Sequence, residues 1–145
     1  MNTRQLWLSQ ISFLVSAFKQ KGYEVFQYTD AEDSVQLDYA VFINSRKHPE
    51  KRFYTLLHEL GHVLICENSK HFEQYNPVYA RTAEYSDGRR QRRKDYRVSI
   101  VSEEIEAWKK GLEFAQDNDL HVNEKKYKKD MTECVFSYIS WASDD

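Results

Sequence analysis

The chain has 145 residues, of which 41% are hydrophobic, 14% are aromatic and 30% are charged, and its formal net charge at pH 7 is −2. This composition predicts one folded domain over residues 1–145 with its own hydrophobic core, and it excludes a disordered chain. The small net charge gives no overall attraction to nucleic acid or to an anionic membrane. No apolar run approaches the roughly 18 to 20 residues that span a bilayer.

The N-terminus and the two cysteines bear on the cellular compartment. Residues 1–7 lack the basic region, apolar block and small-residue cleavage site of a signal peptide. Cys66 and Cys134 lie far apart and form no C-x-x-C pair. These features predict a cytoplasmic protein in which both thiols are reduced.

The start of the chain predicts a helix followed by two strands. Residues 3–21 carry apolar side chains at helical spacing, and Gly22 follows as a stop signal. Residues 23–28 are rich in β-forming side chains and predict a strand. After a polar turn, residues 35–44 predict a second strand, and a short loop then leads into the next helix.

That next helix carries the most informative motif in the chain, His58-Glu59-Leu60-Gly61-His62, which fits the H-E-x-x-H pattern of zinc-dependent hydrolases. Residues i and i+4 share one face of a helix, so His58 and His62 can offer imidazole nitrogens to one ion. Glu59 lies at the edge of that face, where a general base can reach a metal-bound water. Gly61 costs about 1 kcal/mol of helix stability relative to Ala, and a close approach by substrate or by a strand would explain it.

An apolar stripe supports this helix and indicates that one side of it is buried. Its members recur at helical spacing and are Phe53, Leu56, Leu57, Leu60, Val63 and Leu64. The histidines therefore fall on the polar flank of a half-buried helix. Cys66 lies one turn beyond His62 on the same face, where it is either a contact of the metal ligands or a small buried apolar residue.

The second half of the chain predicts a long loop, a short edge strand and two helices. Residues 68–95 hold turn markers and no sustained period, which predicts a loop with about one helical turn at 71–75. Residues 96–101 predict the edge strand, and Ser102 is a candidate N-cap for the helix after it. The core stripe of that helix is predicted to hold Ile105, Trp108, Leu112 and Ala115. Asn123 can cap a final helix. The buried side of the final helix is predicted to hold Met131, Cys134, Val135, Tyr138, Ile139 and Ala142.

Residues 89–97 carry six basic side chains in nine positions. A solvated surface segment is the simplest interpretation. The alternatives are a contact with an acidic stretch of a protein substrate or with a nucleic-acid backbone.

A catalytic zinc site needs a third protein ligand as well as an open position for water. The class that extends the motif as H-E-x-x-H-x-x-G-x-x-H is excluded, because Ile65 and Asn68 occupy the required Gly and His positions. His71 and His121 remain candidates for a third histidine, although each is more simply a surface or loop residue.

Another class takes a glutamate from a following helix, and residues 103–108 offer three acidic side chains. Ala107 is small enough to let its helix approach the metal helix. Glu106, beside it, is therefore the predicted third ligand. Glu103, one turn away on the same face, is the alternative.

Two segments of the sequence resemble the ImmA/IrrE family of small zinc metallopeptidases. The first is Arg52-Phe-Tyr-Thr-Leu-Leu-His-Glu-Leu-Gly-His62 with the preceding strand at 41–44. The second, Glu104-Ile-Glu-Ala107, is similar to the Glu-x-Glu-Ala helix whose acidic residue completes the family's zinc site. The resemblance covers residues 36–116 and departs from the family at Trp108, where an Asn or another polar residue is usual.

The resemblance implies an α+β, minimal zincin-like domain in which a small β-sheet packs against the H-E-x-x-H helix and a following Glu-bearing helix, with N- and C-terminal helices. It also implies a cytoplasmic endopeptidase that cleaves regulators, often repressors of mobile elements or phages. No helix-turn-helix or sensor domain is evident in the sequence.

The sequence thus predicts a zinc-dependent endopeptidase in which His58, His62 and Glu106 hold Zn²⁺ and Glu59 is the general base. The predicted partner is a protein substrate, with a transcriptional regulator as a candidate. Four residues are candidate oxyanion donors without a ranking: Tyr75, Tyr79, Tyr96 and His121. The competing hypothesis is a non-catalytic scaffold, with zinc or without metal, that uses residues 89–97 to bind nucleic acid or a protein. A third possibility is zinc-dependent hydrolysis of a substrate other than a peptide.

Overall fold

A computed structural model describes residues 1–29, 34–36, 40–68 and 94–144 of the chain. These residues form an α+β arrangement of four helices and a small sheet. The elements in chain order are α1 (Thr3–Gln20), β1 (Glu24–Tyr28), β2 (Ser34–Gln36), β3 (Ala40–Asn44), α2 (Pro49–Glu67), α3 (Lys94–Asp117) and α4 (Glu124–Ser143). None of the helices in this part of the chain is long and apolar enough to cross a membrane.

The first helix begins and ends where its sequence predicts. The Asn2 side chain accepts a hydrogen bond from the Gln5 backbone N–H, and the Gln5 side chain accepts one from the Asn2 N–H, which makes a capping box. Gly22 follows α1 with a φ of 87°, a left-handed conformation that favours glycine. Both the predicted helix and its stop signal are confirmed.

The sheet has the order β1-β3-β2, with β1 parallel and β2 antiparallel to β3. The predicted strand at 23–28 is confirmed as β1. The single strand predicted over residues 35–44 is wrong, because Val35 pairs with Val41 across two antiparallel strands of the same segment. This segment contains no Gly or Pro to mark a reversal, and β-forming residues stand on both sides of it.

The core lies between α1, β3 and α2. Trp7 of α1 packs against the rings of Phe53 and Tyr54 on α2, with ring centroids 5.6 and 5.7 Å apart. Val41 and Ile43 of β3 are fully buried beneath the same helices. The predicted stripe of α2 is buried except for Leu64, which is partly buried against the core.

The third helix begins earlier than predicted. The edge strand at 96–101 and the N-cap at Ser102 are both wrong, because α3 is helical from Lys94 through these positions. Its β-branched residues resemble a strand locally, and packing of the helix overrides that preference. Trp108 and Ala115 are buried as predicted, whereas Ile105 and Leu112 pack partly buried against the core. The predicted helical turn at 71–75 lies outside the described residues.

The last helix confirms its predicted cap but only part of its predicted buried face. The Asn123 side chain accepts a hydrogen bond from the Lys126 backbone N–H. Val135 is buried, but Ile139 is 44% exposed and does not belong to the core. Tyr127, which the sequence did not single out, is fully buried and donates a hydrogen bond to the Trp108 carbonyl.

The backbones of α2 and α3 touch where the two helices cross. A Cβ atom at Gly61 would lie 1.9 Å from the Ala107 carbonyl oxygen. A Cβ atom at Gly111 would lie 2.3 Å from the Leu57 carbonyl oxygen. A helix therefore makes the close approach at Gly61, where the sequence suggested substrate or a strand.

Candidate metal centre

The crossing of α2 and α3 brings together two histidines and a glutamate. His58 Nε2 and His62 Nε2 lie 3.1 Å apart, one turn from each other on α2. The Glu104 carboxylate on α3 faces both rings, with Oε2 2.8 Å from His58 Nε2 and Oε1 3.1 Å from His62 Nε2. Three groups that commonly bind metals thus converge on one point.

The spacing of these three groups suits a small divalent ion. Ligand atoms around a tetrahedral zinc, with bonds of about 2.0–2.1 Å, lie about 3.3–3.4 Å from one another. The observed separations of 2.8 to 3.1 Å are within a few tenths of an ångström of that geometry. Two imidazoles with one carboxylate is also a ligand set of catalytic zinc sites. The residues present therefore fit a zinc ion.

Glu59 lies beside this cluster and is almost fully buried. Its Oε1 is 3.6 Å from His58 Nδ1, and one atom from each of Glu59, His58 and His62 lies within 4.8 Å of the others. Burial raises the pKa of Glu59, against the smaller opposing effects of the two histidines. Its carboxylate is therefore a stronger proton acceptor than an exposed one.

Strong electrostatic coupling links the histidines to the acidic side chains of α3. Burial lowers the pKa of His62, but the carboxylates of Glu103 and Glu104 outweigh that effect and raise it well above its usual value. Burial likewise raises the pKa of Glu104, but its contacts with His58 and His62 hold it well below its usual range. Glu104 is therefore ionised, which suits a metal ligand.

Two further residues of α3 orient the imidazole rings. Glu103 Oε1 lies 3.3 Å from His62 Nδ1, on the side of the ring away from His58. The Trp108 indole stacks on the His58 ring, with centroids 4.4 Å apart and planes only 10° from parallel. Carboxylates that contact the outer nitrogen of a ligating histidine fix its tautomer and orientation.

Glu104, and not the predicted Glu106, is the acidic residue of α3 whose carboxylate faces both histidines. Within the described ranges, no group of metal-ligating atoms lying within 4.8 Å of one another includes Glu106. The Glu106 carboxylate is 4.0 Å from Lys110 Nζ, on a different side of α3. Glu103, the predicted alternative, contacts His62 through Nδ1 and not through the nitrogen that faces Glu104.

The other predicted site residues lie elsewhere or outside the described residues. His121 packs its ring on Trp7, and its backbone exchanges two hydrogen bonds with the Gln10 side chain. Cys66 is partly buried and belongs to neither group of potential metal ligands in the described part of the chain. His71, Tyr75 and Tyr79 lie outside the described residues.

Tyr96, the remaining candidate donor, lines a cleft of about 380 Å³ between α3 and α4. Ile100, Tyr138 and Trp141 line the same cleft. Burial and the charge of Glu104 both raise the pKa of Tyr138, one of the residues that line this cleft. Arg97, from the basic segment, contacts the end of α4 through the carbonyls of Ala142 and Asp144.

One sequence signal could have identified Glu104. It stands four residues before Trp108, which was assigned to the core, so the two share a helix face. The buried residues of α3 continue that face through Ala107, Gly111 and Ala115. The small residues mark the face that approaches α2. An acidic residue on that face is the one that meets the histidines.

A comparison with family models identifies the family of the chain. The chain matches the IrrE N-terminal-like domain family, Peptidase M78, over residues 10–96, which is more than half of its length. The chain therefore belongs to this family of metallopeptidases, and the resemblance to ImmA/IrrE proteins is confirmed. The match contains His58, Glu59 and His62 and ends before Glu104. No curated protein and no solved structure matches the chain.

Proposed function

We propose that this protein is a zinc-dependent endopeptidase with a minimal zincin-like fold, in which His58, His62 and Glu104 hold the ion. The observation that carries this proposal is the convergence of the two Nε2 atoms and the Glu104 carboxylate at the α2–α3 crossing. Family membership implies a peptidase and a metal, and the ligand set supports zinc.

A zinc ion held there would supply Lewis acidity, which polarises a carbonyl group and makes water a better acid. Glu59 is placed to act as the general base. Its buried carboxylate takes a proton from the attacking water and returns it to the nitrogen of the cleaved peptide bond. The raised pKa of Glu59 favours this shuttle, because the group can hold the proton between the two steps.

Glu103 and Trp108 would position the histidines and would not react with substrate. Glu103 accepts the Nδ1 proton of His62, which leaves Nε2 free to ligate. Trp108 closes one face of the His58 ring and keeps water from it. An indole ring that stacks on His58 thus stands at the position where the family usually has a polar residue.

The substrate is proposed to be a protein, as membership of a peptidase family implies. The aromatic cleft between α3 and α4 offers a surface for an apolar side chain of the substrate. A transcriptional regulator is the narrower candidate, and its support is the resemblance to ImmA/IrrE proteins. The cytoplasm is the proposed compartment, supported by the two unpaired cysteines.

Zinc content and affinity test the ligand set. The variants are Glu104→Gln and, as the matched control on the same helix, Glu106→Gln. We expect about one zinc per chain in the wild type and in Glu106→Gln, and at least about tenfold weaker binding in Glu104→Gln by competition with a chelator.

Two results would contradict this assignment in different ways. Weaker binding in Glu106→Gln alone would restore the ligand predicted from the sequence and keep the mechanism. A wild type that takes up no zinc after reconstitution would overturn the peptidase proposal. The basic segment at 89–97 and the scaffold hypothesis would then be the next to test.

A further inference from the structure

A cysteine from the last helix lies against the proposed metal centre. Cys134 Sγ of α4 is 3.9 Å from Glu104 Oε2. One ligand atom from each of Cys134, Glu104 and His58 lies within 4.8 Å of the others, so this thiol forms a potential metal-ligating group with two of the three proposed zinc ligands. The peptidase mechanism above makes no use of this thiol.

The distance of the sulfur from Glu104 is close to the distance between two ligands of one ion. Around a tetrahedral zinc with Zn–S of about 2.3 Å and Zn–O of about 2.0–2.1 Å, sulfur and oxygen lie about 3.6 Å apart. The observed separation of Cys134 Sγ from the Glu104 oxygen is 3.9 Å, only slightly longer.

The surroundings of Cys134 include a buried donor that is not otherwise satisfied. The Trp108 indole nitrogen is buried and has no hydrogen-bond partner within the part of the chain that the structure describes. The Trp108 side chain interacts with the Cys134 thiol. A thiolate at Cys134 would give this N–H a charged acceptor.

Cys66 shows that these features are not common to both cysteines of the chain. It is also partly buried. It nevertheless belongs to no potential metal-ligating group among the described residues. The two thiols therefore differ in their position relative to the proposed zinc ligands.

We propose that Cys134 is the fourth ligand of the resting metal centre, so that its sulfur occupies the position that water needs for hydrolysis. This inference rests on the proposed zinc site. To ligate the ion, Cys134 would give its thiol proton to solvent and offer a sulfur lone pair. On release, the sulfur would take a proton back and leave the position open to water. The chain is then a latent peptidase whose activation requires Cys134 to withdraw.

Cobalt(II) substitution tests this assignment by a readout other than activity. A cobalt-bound thiolate gives an intense near-ultraviolet charge-transfer band that nitrogen and oxygen ligands do not give. We expect this band in the wild type and in Cys66→Ser, and its loss in Cys134→Ser while one cobalt per chain stays bound. A cobalt-loaded wild type without the band would overturn the proposal, and so would a band lost only in Cys66→Ser.

Alkylation of the wild type provides a second test that does not depend on the folding of a variant. Iodoacetamide should modify Cys134 at least about tenfold more slowly with zinc than without it, and zinc should leave Cys66 unchanged. Equal rates at Cys134 with and without bound zinc would overturn the proposal.

The outcomes also separate this inference from the function on which it rests. If the wild type binds cobalt but shows no thiolate band, only the proposed role of Cys134 is overturned, and the proposed site of His58, His62 and Glu104 is retained. Failure of the wild type to bind either metal overturns both. If the inference holds, Cys134→Ser should hydrolyse peptides faster than the wild type, and Cys66→Ser should match the wild type.

Discussion

Helix α2 packs against α1 on one side and against α3 on another, and the two contacts differ in polarity. Against α1 the contact is aromatic and apolar, with Trp7 between Phe53 and Tyr54. Against α3 the helices touch at Gly61, and ionisable side chains are buried beside that point. One helix thus has an apolar contact that stabilises the fold and a polar contact that carries chemistry.

The difference explains why the polar contact needs the apolar one. Removing a charged group from water costs several kcal/mol even after the protein relaxes. Glu59 and Glu104 are both buried; the histidines outweigh the effect of burial on the pKa of Glu104, but they oppose only part of that effect on the pKa of Glu59. Burying a large apolar side chain contributes about 1.5–3 kcal/mol. The contact of α1 with α2 therefore supplies stability that holds the acidic residues in place.

The largest effect is expected from a substitution at Glu59 that leaves the packing of α2 against α1 and α3 unchanged. Glu59→Gln keeps the shape of the side chain and removes the proton acceptor, so kcat should fall by roughly 10²–10⁴. Zinc content should be unchanged. The measurement is hydrolysis of a quenched fluorescent peptide library. Glu113→Gln, on the exposed side of α3, is the matched control. Retained hydrolysis in Glu59→Gln would contradict the general-base role.

Truncation of the aromatic contact should cost the most stability. Trp7→Ala removes a buried ring from between α1 and α2, and we expect a loss of about 3–5 kcal/mol in the free energy of unfolding. Urea denaturation monitored by circular dichroism measures the change. Phe136→Ala truncates an aromatic side chain that is 66% exposed, so it should cost far less. Similar losses in the two variants would show that this contact does not stabilise the fold.

A single methyl group at the crossing should disturb the polar contact. Gly61→Ala places a Cβ against the Ala107 carbonyl, and we expect a net loss of about 1–3 kcal/mol despite the better helix propensity of alanine. Zinc affinity should also fall, because α3 must move away from α2. Lys109→Ala, at an exposed position of α3, controls for general helix effects and should change stability by less than about 0.5 kcal/mol. A Gly61→Ala protein more stable than the wild type would refute the close crossing.

The smallest effect is expected at the surface pair that joins the C-terminal ends of α1 and α2. Lys21 Nζ lies 2.9 Å from Glu67 Oε2, and both side chains are partly exposed. Lys21→Ala should therefore cost at most about 1 kcal/mol, and less at high salt. Thermal unfolding at low and high salt measures it, with Lys19→Ala as the neighbouring exposed control. A loss as large as that of Trp7→Ala would mean that charge, and not apolar packing, joins these helices.

Periodicity and end signals predicted much of the fold because they depend on neighbours in the chain. The extent of α1, the stop at Gly22 and the cap at Asn123 follow from such local rules. The sequence between β2 and β3 contains no Gly or Pro turn signal, so local rules could not predict that the chain changes direction there. The early start of α3 was missed because its first residues favour a strand locally, and only packing makes them helical.

The sequence by itself determined the chemistry of the candidate site, since the spacing of His58, Glu59 and His62 needs only a helix to place them together. Which partners complete the site was decided by the tertiary structure. Glu103, Glu104 and Glu106 lie within four consecutive positions of α3, and each position turns the side chain by about 100°. The crossing at Gly61 and Ala107 sets that rotation and turns Glu104 toward both histidines. The same packing brings Cys134 of α4 to Glu104, a contact between residues thirty positions apart that no local pattern encodes.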